Sequence, residues 1–250
     1  MQSINLKTKP SIKFFIYEVV KPLIQVRFFG NGRFCPVCQS NVQNFSPAPA
    51  TLPQSMCPVC HSVMRHRLVW IFFERCTNLF DSNKKKMLHV APEYCFQRRL
   101  SRIKGIDYLT ADISMPSAMV KMDITDIQYP DNTFDVIYCS HVLEHVVDDR
   151  KAMREFHRVL TNKGWAVLQV PIERPETTYE DPSITDPAER LKAFGHPDHV
   201  RCYSAKDYEQ RLIDAGFSVK RIKPLEFASI EEIEKMRISK NEDIFLCTKL

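Results

Sequence analysis

Apolar residues along this chain alternate between short continuous runs and stripes at helical spacing. Val136, Ile137 and Tyr138 form a run bounded by charge, as expected of a strand covered on both faces, and Ala166, Val167 and Leu168 form another. Between them Ala152, Phe156, Val159 and Leu160 recur at helical spacing, which predicts a helix stopped at Lys163-Gly164. Upstream, Leu68, Ile71, Phe72, Cys76 and Leu79 predict a helix over 65–80. A strand at 87–91 follows, then a helix marked by Phe96, Leu100 and Ile103, then strands at 108–111 and 119–122. Downstream, a helix over 204–215 with Gly216 as its stop precedes strands near 219–222 and 244–247. Ser204-Ala-Lys-Asp207 and Ser229-Ile-Glu-Glu232 have the form of capping boxes. This alternation predicts an α/β fold with a mostly parallel sheet covered on both faces.

Ligands of open α/β sheets collect beyond the carboxyl ends of the strands. Ser140, His141, Glu144 and His145 follow the 136–138 strand at such an end, with Glu144 and His145 expected to anchor the next helix. Asp112 ends the 108–111 strand, and Asp123 the 119–122 strand. An aspartate ending a strand is also a common turn residue, so each has a structural alternative.

Four of the nine cysteines carry a pattern. Cys35-Pro-Val-Cys38 and Cys57-Pro-Val-Cys60 repeat one tetrapeptide with 18 residues between the pairs, the spacing of a tetrahedral zinc site. Iron is the alternative metal for four thiolates. A closed set of four ligands leaves no open position, so the expected role is structural, the metal replacing a core that the segment is too small to build. Pro47, Pro49 and Pro53 between the pairs suit a loop. Unrelated or disulfide-bonded cysteines are the alternative. The duplicated motif and the lack of a secretory-signal layout favour metal binding in a reducing, cytoplasmic compartment. Cys76, Cys95, Cys139, Cys202 and Cys247 follow no ligand spacing and read mostly as small buried residues. His61 and His66, close to the second pair, read as surface or supporting residues.

Charge alters the picture mainly at the front. The net charge is +5, but residues 1–86 hold 12 Lys/Arg against 3 Asp/Glu and the remainder 23 against 27. A basic front can contact an anionic partner such as RNA. No basic run exceeds Lys84-Lys85-Lys86, so scattered solvated charge is the plainer reading. The apolar stretch from Phe14 to Phe29 is interrupted by Glu18, Lys21, Pro22, Gln25 and Arg27, too often for a membrane span. It predicts an amphipathic arm over 1–34 that packs on the protein, a partner or a membrane surface. Phe14, Phe15, Phe28 and Phe29 need burial, which a homodimer contact would supply.

From about Met87 the chain resembles class I S-adenosylmethionine-dependent methyltransferases of the small type 11 sort. The resemblance rests on Asp123-Ile124, Pro130-Asp131-Asn132-Thr133-Phe134-Asp135, Ser140-His141-Val142-Leu143-Glu144-His145 and Ala215-Gly216-Phe217. It implies a Rossmann-like seven-stranded sheet with an antiparallel final pair. It further implies that Asp112 holds the ribose hydroxyls and Asp123 the adenine amino group, with the Ile124 amide beside it. Ser140 and His141 would border both cofactor and substrate. The glycine-rich first loop of the family is replaced by Leu88-His89-Val90-Ala91-Pro92-Glu93, which contains no glycine. Glu93 is then the candidate for the methionine ammonium, through a different loop geometry. The sulfonium is already a strong electrophile, so the protein mainly aligns donor, methyl and acceptor.

Residues 171–203 form a long polar connection with Tyr179, Glu180, Asp181, His196, Asp198, His199 and Arg201, read as a substrate lid or, alternatively, a structural cover. His141 and His199 are the candidate bases for the acceptor's proton, since histidine titrates near neutrality.

The expected organisation is an arm over 1–34, a four-cysteine zinc module over 35–63 and a methyltransferase domain over 64–250. Methyl transfer to oxygen or nitrogen of a small-molecule, sugar or cell-surface precursor is the leading reading. An RNA methyltransferase docking through the basic zinc module and a non-catalytic scaffold without cofactor affinity are the alternatives.

Overall fold

The computed structural model describes residues 12–48 and 55–249, with side chains from Val19 onward. Pro49, Pro53, the arm before Ile12 and the side chains of Phe14 and Phe15 therefore lie outside the described residues. The chain begins with α1 (Ile12–Phe28), β1 (Arg33–Cys35), β2 (Ser40–Val42) and α2 (Met64–Cys76). It continues through β3 (Lys85–Val90), α3 (Tyr94–Leu100), β4 (Ile106–Asp112), β5 (Val120–Lys121), β6 (Phe134–Ser140), α4 (Asp149–Val159) and β7 (Leu160–Gln169). The remaining elements are β8 (Ile172–Arg174), β9 (Tyr179–Glu180), α5 (Pro187–Phe194), β10 (Arg201–Ser204), α6 (Ala205–Asp214), β11 (Phe217–Ile222), α7 (Ile230–Met236) and β12 (Ile244–Lys249).

These elements separate into two compact units, and neither is continuous in sequence. The larger comprises Lys84–Pro92, Asp107–Ile222 and the residues from Ile244. Its seven-stranded sheet has the order β11-β12-β7-β6-β3-β4-β5. Strands β3, β6 and β7 run parallel, with Leu88 opposite Ile137 and Ile137 opposite Ala166. Strand β12 is antiparallel to both β7 and β11. The expected Rossmann-like sheet with its antiparallel end is therefore present. Its runs are hydrophobic throughout because both faces are covered: Val136, Ile137, Tyr138, Ala166, Val167 and Leu168 are all fully buried.

Two local expectations are corrected. Helix α4 ends at Val159 and β7 starts at once with Leu160, so Lys163-Gly164 lies inside a strand. Gly164 serves close approach there, since a Cβ would sit 2.7 Å from the Asp135 carbonyl oxygen. The cap of α4 is Asp148, which accepts from Lys151 N at 2.9 Å, while Glu144 and His145 belong to a separate 3-10 turn, Leu143–His145. The 171–203 connection is also more ordered than its polarity suggests. Strands β8, β10 and β9 make a second small sheet, and Asp186 caps α5 through Ala188 N and Glu189 N at 2.9 and 3.1 Å.

The smaller unit comprises the described residues through Asn83 together with Glu93–Ile106 and Lys223–Asp243. Its core is aromatic: Trp70 packs on Phe80 and Phe96 at 5.3 and 5.5 Å between ring centroids, and Phe72 meets Phe227 edge-on at 5.6 Å. Fully buried Arg67 donates to the carbonyls of Met236, Ser62, Ser55 and Arg237 at 2.6–3.1 Å and stacks over Phe45. Helix α1 leaves Val19, Leu23 and Val26 exposed, with Phe29 exposed just beyond it. Among the described residues no helix is long and apolar enough to cross a membrane.

Candidate functional site

The two Cys-Pro-Val-Cys turns bring all four sulfurs together. Cys35 and Cys60 Sγ lie 3.6 Å apart, Cys38 and Cys57 Sγ 3.7 Å, and all four residues are buried. Thiolates about 2.3 Å from a tetrahedral zinc ion stand about 3.8 Å apart, so the arrangement fits that ion. Burial raises the Cys35 thiol, yet bonds from the other three sulfurs and the Ser62 hydroxyl outweigh it and hold this group well below its ordinary value. Beside Cys38 and Cys60 opens a cavity of about 250 Å³ lined by Lys21, Arg98, Arg99 and Arg102. Four thiolates around a divalent cation carry a net charge of about −2, which these cations complement. His66 Nδ1 accepts from Val63 N at 3.2 Å to cap α2, and its ring contacts Cys95. Cys76 is exposed, whereas Cys95, Cys139, Cys202 and Cys247 are buried as expected.

In the larger unit the strand ends converge as the sequence implies. Ala91 N donates to Ala111 O at 2.8 Å, which joins the carboxyl ends of β3 and β4. Asp112 and Asp123 both make local turns. Asp112 Oδ1 accepts from Ser114 N and Met115 N at 2.7 and 2.6 Å, and Asp123 Oδ1 from Thr125 N and Oγ1, both at 2.8 Å. In each case Oδ2 takes no part in these bonds. Ile124 is buried behind Asp123. Ala91 takes φ +48°, a left-handed conformation normally left to glycine, so the glycine-less loop adopts a glycine-like backbone at some strain. Glu93 belongs to the cysteine-bearing unit, where its Oε1 lies 3.7 Å from His66 Nε2.

Beyond β6, Ser140 is buried and His141 also takes a left-handed φ of +56°, its amide bonded to Gln169 O at 2.9 Å. His141 Nδ1 stands 3.4 Å from Oε1 of Glu144, whose carboxylate is 1% exposed. Val200 N donates to Glu144 O at 2.9 Å and holds the 196–201 segment against the 3-10 turn. His145 and His199 thereby meet at 4.7 Å between ring centroids, and His196 stacks on His199 at the same distance. Burial lowers the His199 pKa, with Glu144 opposing it and the two other imidazoles adding to it.

Arg201 and Glu180, read from the sequence as groups facing a substrate, are committed elsewhere. Arg201 donates to the carbonyls of Leu143, Val146 and Val147 and, at 2.8 Å, to Glu180 Oε2. Arg211 joins Glu180 and Asp149 at 2.8 and 2.9 Å, and Tyr203 OH donates to Asp149 Oδ2 at 2.6 Å. Asp149 and Arg211 drew no notice in the sequence, because partners 31 to 62 positions apart leave no local pattern. Hydrogen bonding from Arg211, against the opposing effect of burial and with help from Arg201, lowers the Glu180 pKa to about 2.

Residues 85–168 match the methyltransferase domain. The methyltransferase domain match spans β3 to β7 and so includes Asp112, Asp123, Ser140 and His141. The uncharacterised methyltransferase YcgJ of Bacillus subtilis is 35% identical over 83 residues, 33% of this chain and 31% of that protein. Phosphoethanolamine N-methyltransferase 3 of Arabidopsis thaliana is 34% identical over 95 residues, 38% of this chain and 18% of that protein. The matched segment thus spans less than a third of either relative. The crystal structure of an S-adenosylmethionine-dependent methyltransferase from Mesorhizobium loti has the same fold, with a TM-score of 0.50 at 14% identity over 72% of this chain and 96% of that one. The likeness to methyltransferases is thus one of the 85–168 segment in sequence and of the sheet in fold.

Proposed function

We propose that the chain transfers a methyl group from S-adenosylmethionine to oxygen or nitrogen of a small polar acceptor. The observation that carries this is the methyltransferase domain match, within which Asp112 and Asp123 stand at adjacent strand ends. Asp112 would accept the ribose hydroxyls and Asp123, with the Ile124 amide, would hold the adenine edge, each through the oxygen its turn leaves over. Ser140 and His141 would border the acceptor. The bound cofactor supplies an electrophilic methyl group; the residues around it align the acceptor and exclude water. His141, buttressed by the Glu144 carboxylate, and His199 are candidates for the acceptor's proton.

The acceptor class is a small molecule, sugar or cell-surface precursor; the phosphoethanolamine relatives support a small substrate. The arm over 1–34 and the module over 35–63 would add a structural zinc centre at Cys35, Cys38, Cys57 and Cys60, and a homodimer contact through the exposed apolar side of α1. Calorimetric titration with S-adenosylmethionine and S-adenosylhomocysteine tests the reading. Micromolar binding that weakens at least tenfold in Asp112→Ala is expected, about the effect of losing one charge-assisted contact. Absence of binding by the unaltered protein would leave the fold as a scaffold.

A further inference from the structure

His145, His196 and His199 come from two segments some fifty residues apart, yet each offers a ring nitrogen within 4.8 Å of the other two. Nitrogens bound about 2.0–2.1 Å from a zinc-type ion stand about 3.3 Å apart, so closure needs only small ring rotations. His145 Nδ1 lies 3.2 Å from Asp198 O; donating there, it fixes the tautomer that presents Nε2 as a ligand. His199 Nδ1 is buried with no hydrogen-bond partner among the described residues. An orphaned buried acceptor has a cost that an ion would remove. His196, the exposed member, accepts from Asp198 N at 3.2 Å through Nδ1, a bond that loading would disturb. The nearby Glu144 carboxylate, buried and acting on His199, favours a cation here.

We propose that His145, His196 and His199 form a second metal site, taking a divalent ion that prefers imidazole, such as zinc, cobalt or nickel. Three neutral ligands leave the ion its full charge and at least one open position, unlike the closed cysteine centre. An anionic oxygen fits that position: a carboxylate, a phosphate or an ionised hydroxyl. The site lies just past β6, so on the methyl-transfer reading the ion would anchor such a group of the acceptor. His199 then serves as a ligand and proton removal falls to His141. Only the role of the ion rests on that reading; the metal site does not.

The test uses the full chain with its cysteine centre already loaded. After removal of loosely held metal, cobalt is titrated in and followed by calorimetry and visible absorption. One further equivalent is expected, with ligand-field bands and no thiolate-to-metal charge transfer. Affinity should fall at least tenfold in His199→Ala and in His196→Ala, the latter exposed enough to leave folding intact. No further equivalent, thiolate charge transfer, or unchanged affinity in His196→Ala would overturn the proposal. Cobalt binding by a protein that fails to bind S-adenosylmethionine would keep the metal site and sink methyl transfer, so the two readings fail separately.

Discussion

At the scale of single residues, the most informative positions are those where the backbone or a charge is held away from its ordinary state. Ala91 occupies a left-handed conformation that glycine adopts without strain. A side chain there costs about 1–2 kcal/mol, whereas glycine adds about 0.4–1 kcal/mol of unfolded-state entropy. Ala91→Gly should therefore stabilise the protein by about 0.5–1 kcal/mol, read as a higher denaturant midpoint with unchanged slope. Glu180 is the second case. Its folded pKa of about 2 lies below the ordinary 4.5, so its stabilising contribution is complete above pH 4.5 and fades as pH falls towards 2. Glu180→Gln should lower the urea midpoint clearly at pH 6 and much less at pH 3. Equal loss at both values would show that the carboxylate's charge contributes nothing.

At the scale of elements, strands were easier to read than their neighbours. A strand covered on both faces shows a continuous apolar run, so the centres of β6 and β7 are legible from Val136-Ile137-Tyr138 and Ala166-Val167-Leu168, and the paired cysteine turns from ligand spacing. Lys163-Gly164 does not stop α4 because the pair also suits a tight strand pairing, where Gly164 lies against the Asp135 carbonyl. Whether the 171–203 segment is a substrate lid or a structural cover has no local signature, because its interactions are ionic and distant in sequence; Asp149, Glu180, Arg201 and Arg211 make sense only when folded together. The strand-end acids are legible by place, Asp112 closing β4 and Asp123 following β5. The meeting of His145 with His196 and His199 is not, since it depends on the backbone bond from Val200 to Glu144. The cysteine turns carry their own prediction: Cys57→Ser should lose about one equivalent of zinc by metal analysis and unfold at lower temperature. Full zinc retention in that variant would rule out the four-sulfur centre.

At the scale of the whole molecule, the governing fact is that the chain crosses between its two units repeatedly. The cysteine-bearing unit needs Lys223–Asp243, and the sheet needs β12, which lies between β11 and β7 rather than at an edge. A nascent chain emerging from the ribosome at about 5–20 residues per second therefore cannot finish its first unit before beginning the second. Until the segment from Lys223 to Lys249 appears, β7 and β11 have no strand between them and the aromatic core around Phe72 lacks Phe227. The four cysteines, all made by residue 60, would on the zinc reading be able to capture an ion long before that. Early metal capture would then hold the leading segment in shape while the rest is synthesised, making metal supply a matter of folding yield as well as of final stability.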